Sequence, residues 1–201
     1  MKLKLAVALR ICPALSSTAA GFAGKFEMVE AATKSLAVAL QPFSVKLYII
    51  LDGCPAEYVD LCKREFGVLK NVQFQLIETP SIGNLATYAR QIELLSEDCE
   101  AELVYVCEDD YLYRPQALSA MSELLELKNV DFVTPLDHPD RYNCKLGPML
   151  RSEVVACAGW HWVEVATTCC TFMTTAKKLK EFKDRLLTYS SGSGDVVMWL
   201  L

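Results

Sequence analysis

The chain has 201 residues, of which 52% are hydrophobic and 22% are charged, and its formal net charge is −5. These values predict an ordinary soluble globular protein with one domain, long enough to bury a good core. Because the chain is acidic and has no run rich in Lys and Arg, nucleic acid is not expected as its main partner. An anionic substrate would need local help from a metal or from a few arginines.

The first ten residues resemble a secretory signal only briefly, because Arg10 interrupts the short apolar run from Leu5 to Leu9. They predict a buried first strand instead. No run approaches the roughly 18 apolar residues of a membrane span, so no transmembrane segment is expected. The nine cysteines include no Cys-x-x-Cys pair. This argues against a disulfide framework or a zinc site, and a reducing cytoplasm is the expected location.

Strand-like and helix-like segments alternate through the first two-thirds of the chain. The predicted strands cover residues 3–11, 45–51, 72–77, 103–107 and 130–134, and the predicted helices cover 25–40, 55–66, 84–95 and 115–127. Apolar residues recur at a helical period in the first of these helices, whereas the strands are short apolar runs. Such alternation predicts a three-layer α/β/α domain with a mainly parallel sheet.

After Pro135 the pattern changes. Residues 136–148 predict a polar loop, residues 154–158, 160–166 and 169–173 predict a small β-hairpin region, and residues 176–189 predict a helix. A link rich in Ser and Gly then leads to Asp195 and an apolar end. We expect a single domain over residues 1–201, and the abrupt stop leaves open that a C-terminal part is missing.

Polar residues collect at the carboxyl ends of the predicted parallel strands, where open α/β sheets bind their ligands. They are Arg10, Asp52 with Gly53, the turn Gly83-Asn84, and the acidic trio Glu108, Asp109 and Asp110. No glycine-rich phosphate loop is present in the sequence, but the helix that starts at Asn84 favours anions at its N-terminus. Adjacent carboxylates repel each other unless a cation compensates them. Mg²⁺ or Mn²⁺, bound by one or two carboxylates plus substrate phosphates, suits the trio.

Three motifs in a fixed order carry a resemblance to a known family. They are Leu51-Asp52-Gly53, then Gly83-Asn84 with Ala89-Arg90, then the run from Val106 to Leu118 that contains the trio. In this order they resemble a family-2-type glycosyltransferase of the GT-A fold, over roughly residues 2–135. The resemblance implies metal-dependent, inverting transfer of a sugar from a nucleotide-diphospho-sugar, first of all a UDP-sugar. The acceptor would be a hydroxyl of a glycan, lipid or small molecule, with residues 1–135 binding the donor and 136–201 facing the acceptor.

The resemblance also implies roles for single residues. Asp52 would contact the nucleotide base, and Arg90 would match an arginine that lies near the diphosphate. With the residues that share the predicted edge, the nucleotide-binding set is Arg10, Asp52, Gly53, Gly83, Asn84, Arg90 and Asp109.

The metal motif departs from the Asp-x-Asp of the family. A strict alignment places Cys107 at the first Asp, whereas Glu108-Asp109-Asp110 resembles the variant of some GT-A N-acetylglucosaminyltransferases. In that variant the last Asp is the ligand, so we expect Asp110 to bind Mn²⁺ or Mg²⁺ with support from Glu108 and Asp109. His161 is a further metal candidate, because late-chain histidines ligate the metal in some relatives.

Sugar transfer to a hydroxyl needs a general base, and family-2-type enzymes use an Asp late in the domain. Asp195, which follows the Ser/Gly link and starts a predicted helix, is the expected base, with Asp137 and Asp140 in reserve. Two other functions stay open. A sugar-phosphate nucleotidyltransferase shares the fold type but would carry an N-terminal Gly-rich loop, and a decayed enzyme or nucleotide-sugar-binding module would need no base.

Every candidate also has a plain structural interpretation. Asp52-Gly53 suits a tight turn, Gly83-Asn84 suits a helix cap, and Arg90 suits a solvated helix face. The acidic trio would suit a solvated loop before a helix, and Asp195 the first turn of a helix. His161 would suit a packed strand.

Overall fold

The computed structural model describes residues 2–14, 21–136 and 154–200. Its strands are β1 (Lys4–Ile11), β2 (Ser44–Asp52), β3 (Val72–Thr79), β4 (Leu103–Cys107), β5 (Phe132–Val133), β6 (Val154–Cys157), β7 (Trp160–Val163) and β8 (Phe172–Thr175). Its helices are α1 (Lys25–Ala39), α2 (Ala56–Phe66), α3 (Asn84–Glu97), α4 (Ala117–Leu124), α5 (Ala176–Glu181), α6 (Lys183–Leu187) and α7 (Asp195–Leu200). Within these ranges, no helix is both long enough and apolar enough to cross a membrane.

Six of the strands form one sheet in the order β3-β2-β1-β4-β8-β5. The first four in that order are parallel to their neighbours, whereas β8 runs antiparallel to both β4 and β5. A separate two-stranded antiparallel sheet is formed by β6 and β7. The predicted α/β class, with a mainly parallel sheet and a small C-terminal hairpin, is confirmed.

The core lies on both faces of the large sheet, which explains the unbroken apolar runs of its central strands. Side chains alternate along a strand, so Leu5, Val7 and Leu9 of β1 point to one face, and Ala6 and Ala8 point to the other. The first face is covered by α1, α2 and α4, and the second by α3, α5, α6 and α7. Helices on both faces make the three layers that the alternation predicted.

Element boundaries depart from the prediction mainly in the second half of the chain. The expected strand over 130–134 is reduced to β5, and the expected helix over 115–127 is reduced to α4. The expected helix over 176–189 is divided into α5, α6 and a 3-10 turn, Tyr189–Ser191. That turn ends at Gly192, whose φ of 92° lies in the left-handed region that glycine adopts freely.

A tight turn delays the strand that was expected over 169–173. The N–H of Thr171 donates to the carbonyl of Thr168 at 3.1 Å, and the strand β8 starts only after this turn. Both central residues, Cys169 and Cys170, have positive φ, at 47° and 57°. Positive φ at both central positions is typical of a type I′ turn, although glycine and asparagine are the usual residues there.

The candidate site residues follow strands that end at the same edge of the sheet. The strands β1, β2, β3 and β4 all end at this edge, which we call the carboxyl edge. The antiparallel β8 begins there, because it pairs Phe172 with Val106 near the end of β4. The carboxyl edge therefore includes the residues that follow these four strands and the 168–171 turn.

The turn after β2 needs glycine at residue 53. Gly53 has a φ of 67°, and a Cβ there would overlap Oγ of Ser81 and lie 3.1 Å from its Cβ. We expect Gly53→Ala to lower the free energy of unfolding by about 3 kcal/mol, through left-handed backbone strain and overpacking. Urea denaturation measures this loss.

Gly159→Ala is the matched control for that substitution. Gly159 also has positive φ, 77°, but nothing lies within 4 Å of an added Cβ, so only the backbone cost of about 1–2 kcal/mol applies. An equal loss in both variants would contradict the predicted contact with Ser81.

Candidate functional site

Arg10, near the end of β1, joins three segments of the carboxyl edge. Its guanidinium donates to the backbone carbonyl of Asn84 at 2.9 Å, donates to the side-chain oxygen of Asn84, and forms an ion pair with Glu108. Burial raises the pKa of Glu108, and the facing guanidinium opposes that shift. Arg10 is only 8% exposed. The ion pair is therefore an internal contact that holds the ends of β1 and β4 and the start of α3 together.

Asp109 is held by a second, separate set of partners. The Lys25 ammonium lies 2.6 Å from Oδ1, and the N–H of Cys12 donates to Oδ2 at 3.0 Å. Burial raises the pKa of Asp109, while Lys25 and the Cys12 N–H oppose the shift. Sequence reasoning missed Lys25. The available signal was a lysine in the first turn of a helix that follows β1, where the helix dipole disfavours a cation.

Asp110 differs from its two neighbours because its side chain is exposed. Within the part of the chain that the structure describes, no cation pairs with it. The acidic trio is therefore divided: Glu108 and Asp109 are bound by internal cations, and Asp110 faces outward. The adjacent Cys107 is fully buried at the end of β4, with its thiol 3.7 Å from the carbonyl oxygen of Ala8. A side chain at this buried position could not reach a metal at the surface. The presence of Cys107 where the family has Asp therefore does not remove a metal ligand from the exposed part of the site.

The predicted metal ligands do not come together as one protein-only group. Among the described residues, no three His, Cys, Asp or Glu side chains converge in a way that could hold a metal. His161 lies exposed on β7, outside any such group. Mg²⁺ needs only one or two carboxylates when substrate phosphates supply the other ligands. Asp110 fits that role, with Glu108 beside it, and metal binding stays a prediction.

Asp52 stabilises the loop between β3 and α3. Its Oδ1 accepts from the hydroxyl of Thr79 at 2.7 Å and from the N–H of Ile82 at 2.6 Å, and its Oδ2 accepts from the N–H of Gly83 at 2.8 Å. The residue is 4% exposed. Both oxygens therefore have internal partners, and contact of Asp52 with a nucleotide base stays a prediction. Its neighbour Gly53 is required by the turn.

The start of α3 lies against Arg10. Gly83, with φ of 87°, is the N-cap residue, and Asn84 is the first residue of the helix. The Asn84 side chain accepts from Arg10 and donates to the hydroxyl of Tyr189 at 2.9 Å. Asn84 thereby connects the end of β1 to the C-terminal part of the chain.

Arg90 does not lie at the carboxyl edge. It is six residues into α3, about 9 Å along the helix axis from its first residue. Its side chain faces solvent and lies 3.4 Å from Glu93. Arg10 is the arginine that the fold brings to the edge, and the predicted diphosphate role of Arg90 stays a prediction.

Asp195 begins α7, as predicted, and contacts the 168–171 turn. Its Oδ2 accepts from the N–H of Cys169 at 2.9 Å, and its Oδ1 accepts from the indole N–H of Trp199 at 3.2 Å. Burial raises the pKa of Asp195, and these donors oppose the shift. The alternative bases Asp137 and Asp140 lie outside the described residues.

The thiol of Cys170 lies 3.9 Å from Oδ1 of Asp195, and the charges of Arg10 and Glu108 also act on it. Burial, Asp195 and Glu108 together raise the pKa of this thiol to about 12, while Arg10 opposes the shift. The charges of Asp195, Arg10 and Glu108 therefore all affect the pKa of Cys170. The predicted base and the predicted phosphate-binding arginine share one site, although 185 positions separate Arg10 from Asp195 in the sequence.

Comparisons with known proteins show the fold. No family model and no curated protein matches the chain. S. aureus TarS 1-349 superimposes with a TM-score of 0.56 at 15% identity, covering 90% of this chain and 49% of that one. A 4-diphosphocytidyl-2C-methyl-D-erythritol synthase gives 0.49 at 12% identity over 96% and 84% of the chains. A cytidylyltransferase from Leptospira borgpetersenii serovar Hardjo-bovis gives 0.47 at 11% identity over 92% and 64%.

The similarity to TarS shows a GT-A-like fold, a three-layer α/β/α domain with a mainly parallel sheet. The chain spans about half the length of the TarS chain that it matches. At such low identity the similarity shows the fold alone, so the reaction has to be argued from the site.

The hydrogen bonds of Asp52 predict a large stability loss when its carboxylate is removed. Asp52→Ala leaves the amides of Ile82 and Gly83 without their acceptor, and we expect the free energy of unfolding to fall by about 2–4 kcal/mol. Denaturant titration measures this, and hydrogen exchange at the two amides localises it. Asp60→Ala, at an exposed position of α2, should change stability by no more than about 0.5 kcal/mol. Unchanged exchange at Ile82 and Gly83 would contradict the structural role.

Proposed function

We propose that the chain transfers a sugar from a nucleotide-diphospho-sugar to an acceptor hydroxyl, with a divalent metal on the diphosphate. The observation that carries this proposal is the division of the acidic trio. One exposed carboxylate, Asp110, stands at the same edge as a partly buried carboxylate, Asp195, with the guanidinium of Arg10 in the same site. The GT-A-like fold supports nucleotide-sugar chemistry at this edge.

The charges of the site explain why a metal would be needed. Lys25 and Arg10 are each compensated by one carboxylate of the trio, so two cations face three carboxylates and one negative charge remains. A nucleoside diphosphate would add at least two more negative charges. A bound Mn²⁺ or Mg²⁺ would neutralise the leaving diphosphate as a Lewis acid. Asp110 would hold this ion, with Glu108 next to it.

Arg10 and the N-terminus of α3 are the chain's own means of binding the phosphates. The guanidinium is anchored on Asn84 and Glu108, and a helix N-terminus favours an anion. The loop that presents this N-terminus is held by Asp52. The phosphates would therefore rest on a surface whose geometry is set before the donor arrives.

Asp195 would act as the general base. The acceptor hydroxyl would give its proton to this carboxylate while its oxygen bonds to the anomeric carbon, and the bond from that carbon to the diphosphate breaks on the opposite side. The Cys169 N–H and the Trp199 indole fix the orientation of Asp195. A pKa raised by burial brings it closer to that of an efficient base at neutral pH.

The acceptor itself stays open. A glycan, a lipid and a small molecule are all compatible with the predicted acceptor side, which includes residues outside the described ranges. A binding module without catalysis would keep Arg10 and Asp110 but would not depend on Asp195. The two functions are therefore separated by substitutions at these positions.

Metal-dependent nucleotide binding is the first consequence of the proposal. UDP at about 100 times its dissociation constant should stabilise the chain by roughly 2.7 kcal/mol with Mn²⁺ present, and by much less with chelator. Thermal denaturation measures both shifts. Asp110→Asn should abolish the Mn²⁺-dependent part, whereas Asp184→Asn, an exposed Asp of α6, should retain it. Equal shifts with and without chelator would overturn the metal assignment.

Loss of the base should separate transfer from binding. Asp195→Asn is expected to bind UDP and Mn²⁺ as the unsubstituted chain does, but to lower the transfer rate by roughly 10²-fold or more. Hydrolysis of a UDP-sugar to free sugar is the readout until an acceptor is known. Activity within a few-fold of the unsubstituted chain would assign the base to Asp137 or Asp140.

The pH dependence of the same carboxylate provides a control for folding. Because burial raises the folded pKa of Asp195 above its usual 3.8, its contribution to stability is full below pH 3.8 and is lost as pH rises through the raised value. Asp195→Asn removes the buried charge but leaves one oxygen for two N–H donors, so the two effects oppose each other and the free energy of unfolding at pH 7 should change by no more than about 1 kcal/mol. Transfer by the unsubstituted chain should fall as pH drops through that raised pKa.

A further inference from the structure

We infer that Lys25 is a positioning residue for the nucleotide site: by holding Asp109, it sets the orientation in which Asp110 is presented. Asp109 and Asp110 lie in the same turn, directly after β4. The inference rests on the proposed function, because it concerns the carboxylate to which that proposal assigns the metal. No motif in the sequence pointed to Lys25.

The contact is short and shielded from water. The ammonium of Lys25 lies 2.6 Å from Oδ1 of Asp109, and the two side chains are only 10% and 8% exposed. Oδ2 of the same carboxylate accepts the N–H of Cys12. Asp109 is thus fixed through both oxygens, to the start of α1 and to the end of β1, and it cannot rotate without losing both contacts.

This clamp acts on a turn that is also anchored at its two ends. Glu108 is held by Arg10 on one side. On the other side, the N–H of Tyr113 donates to the hydroxyl of Ser35, also in α1, at 3.0 Å. Asp109 is the middle anchor, and the exposed Asp110 follows it directly. The direction in which Asp110 projects therefore depends on where Lys25 holds its neighbour.

Lys25 occupies an unfavourable place unless Asp109 accompanies it. It is the first residue of α1, where the helix dipole repels a cation. Removing one member of a buried pair leaves the other as an uncompensated charge. Loss of the lysine should therefore shift the Asp109 carboxylate toward solvent and move Asp110 with it.

The test is calorimetric binding of UDP with Mn²⁺ to variants of the whole chain. Lys25→Met should weaken the Mn²⁺-dependent affinity by roughly 10-fold or more, the usual cost of losing an outer support of a metal site. Lys25→Arg should restore most of it. Asp109→Asn should weaken binding by a similar factor, and Lys25→Met combined with Asp109→Asn should bind within about 3-fold of either single variant, because all three lose the same contact.

Lys34→Met is the matched control, because Lys34 lies on the same helix in an exposed pair with Glu30 at 3.0 Å. It should leave binding unchanged. Losses that multiply in the double variant would show that Lys25 acts independently of Asp109, and would overturn positioning through Asp109. Unchanged affinity in Lys25→Met would also overturn it.

Hydrogen exchange at the Cys12 amide separates this inference from the proposed function. That amide donates to Asp109, so it should lose protection in Lys25→Met and keep it in Lys25→Arg and Lys34→Met. If the unsubstituted chain binds neither UDP nor Mn²⁺, the proposed function fails, and the exchange result alone decides whether Lys25 positions Asp109. Retained protection in Lys25→Met would then overturn the inference.

Discussion

Compensation of charge at the end of β4 is the constraint on which the rest of the site depends. A fully buried strand delivers three consecutive carboxylates to one edge of the sheet. Two unit charges about 4 Å apart repel by roughly 4 kcal/mol at an effective dielectric of 20. Two cations from different elements compensate this repulsion: Arg10 from β1 pairs with Glu108, and Lys25 from α1 pairs with Asp109. Each ion pair ties that turn to a segment far away in the sequence, so neutralising the charge also fixes the geometry.

Most of the fold could be predicted from the sequence because its first two-thirds are locally encoded. Apolar periods locate β1 to β4 and their helices within one to three residues at nearly every boundary, and alternation implies parallel pairing. The place of β8 could not be predicted. Its insertion between β4 and β5 depends on long-range pairing, which local periodicity does not carry. The 168–171 turn could not be predicted either. Its two central residues with positive φ are cysteines, whereas glycine or asparagine is the usual sequence signal for such a turn.

The site was predictable to the extent that topology alone determines it. The rule that ligands bind beyond the carboxyl ends of parallel strands collected Arg10, Asp52, Gly83 and the acidic trio. Motif resemblance favoured Arg90, which the structure places on the solvent-facing side of α3. The partners of each carboxylate were not predictable, because an ion pair across 84 positions, such as that of Lys25 with Asp109, leaves no local pattern.

The late position of β8 has a consequence for how the chain is made. Pairing Phe172 with Val106 joins residues 66 positions apart, so β8 cannot pair with β4 until the chain has been synthesised through this later segment. Until then, the outer side of β4 has unpaired backbone groups, and the turn that holds Asp195 does not exist. A nascent chain that has not yet reached Thr175 would offer this apolar strand to any neighbouring chain. Protection of β4 during synthesis therefore depends on the same segment that later places the proposed base.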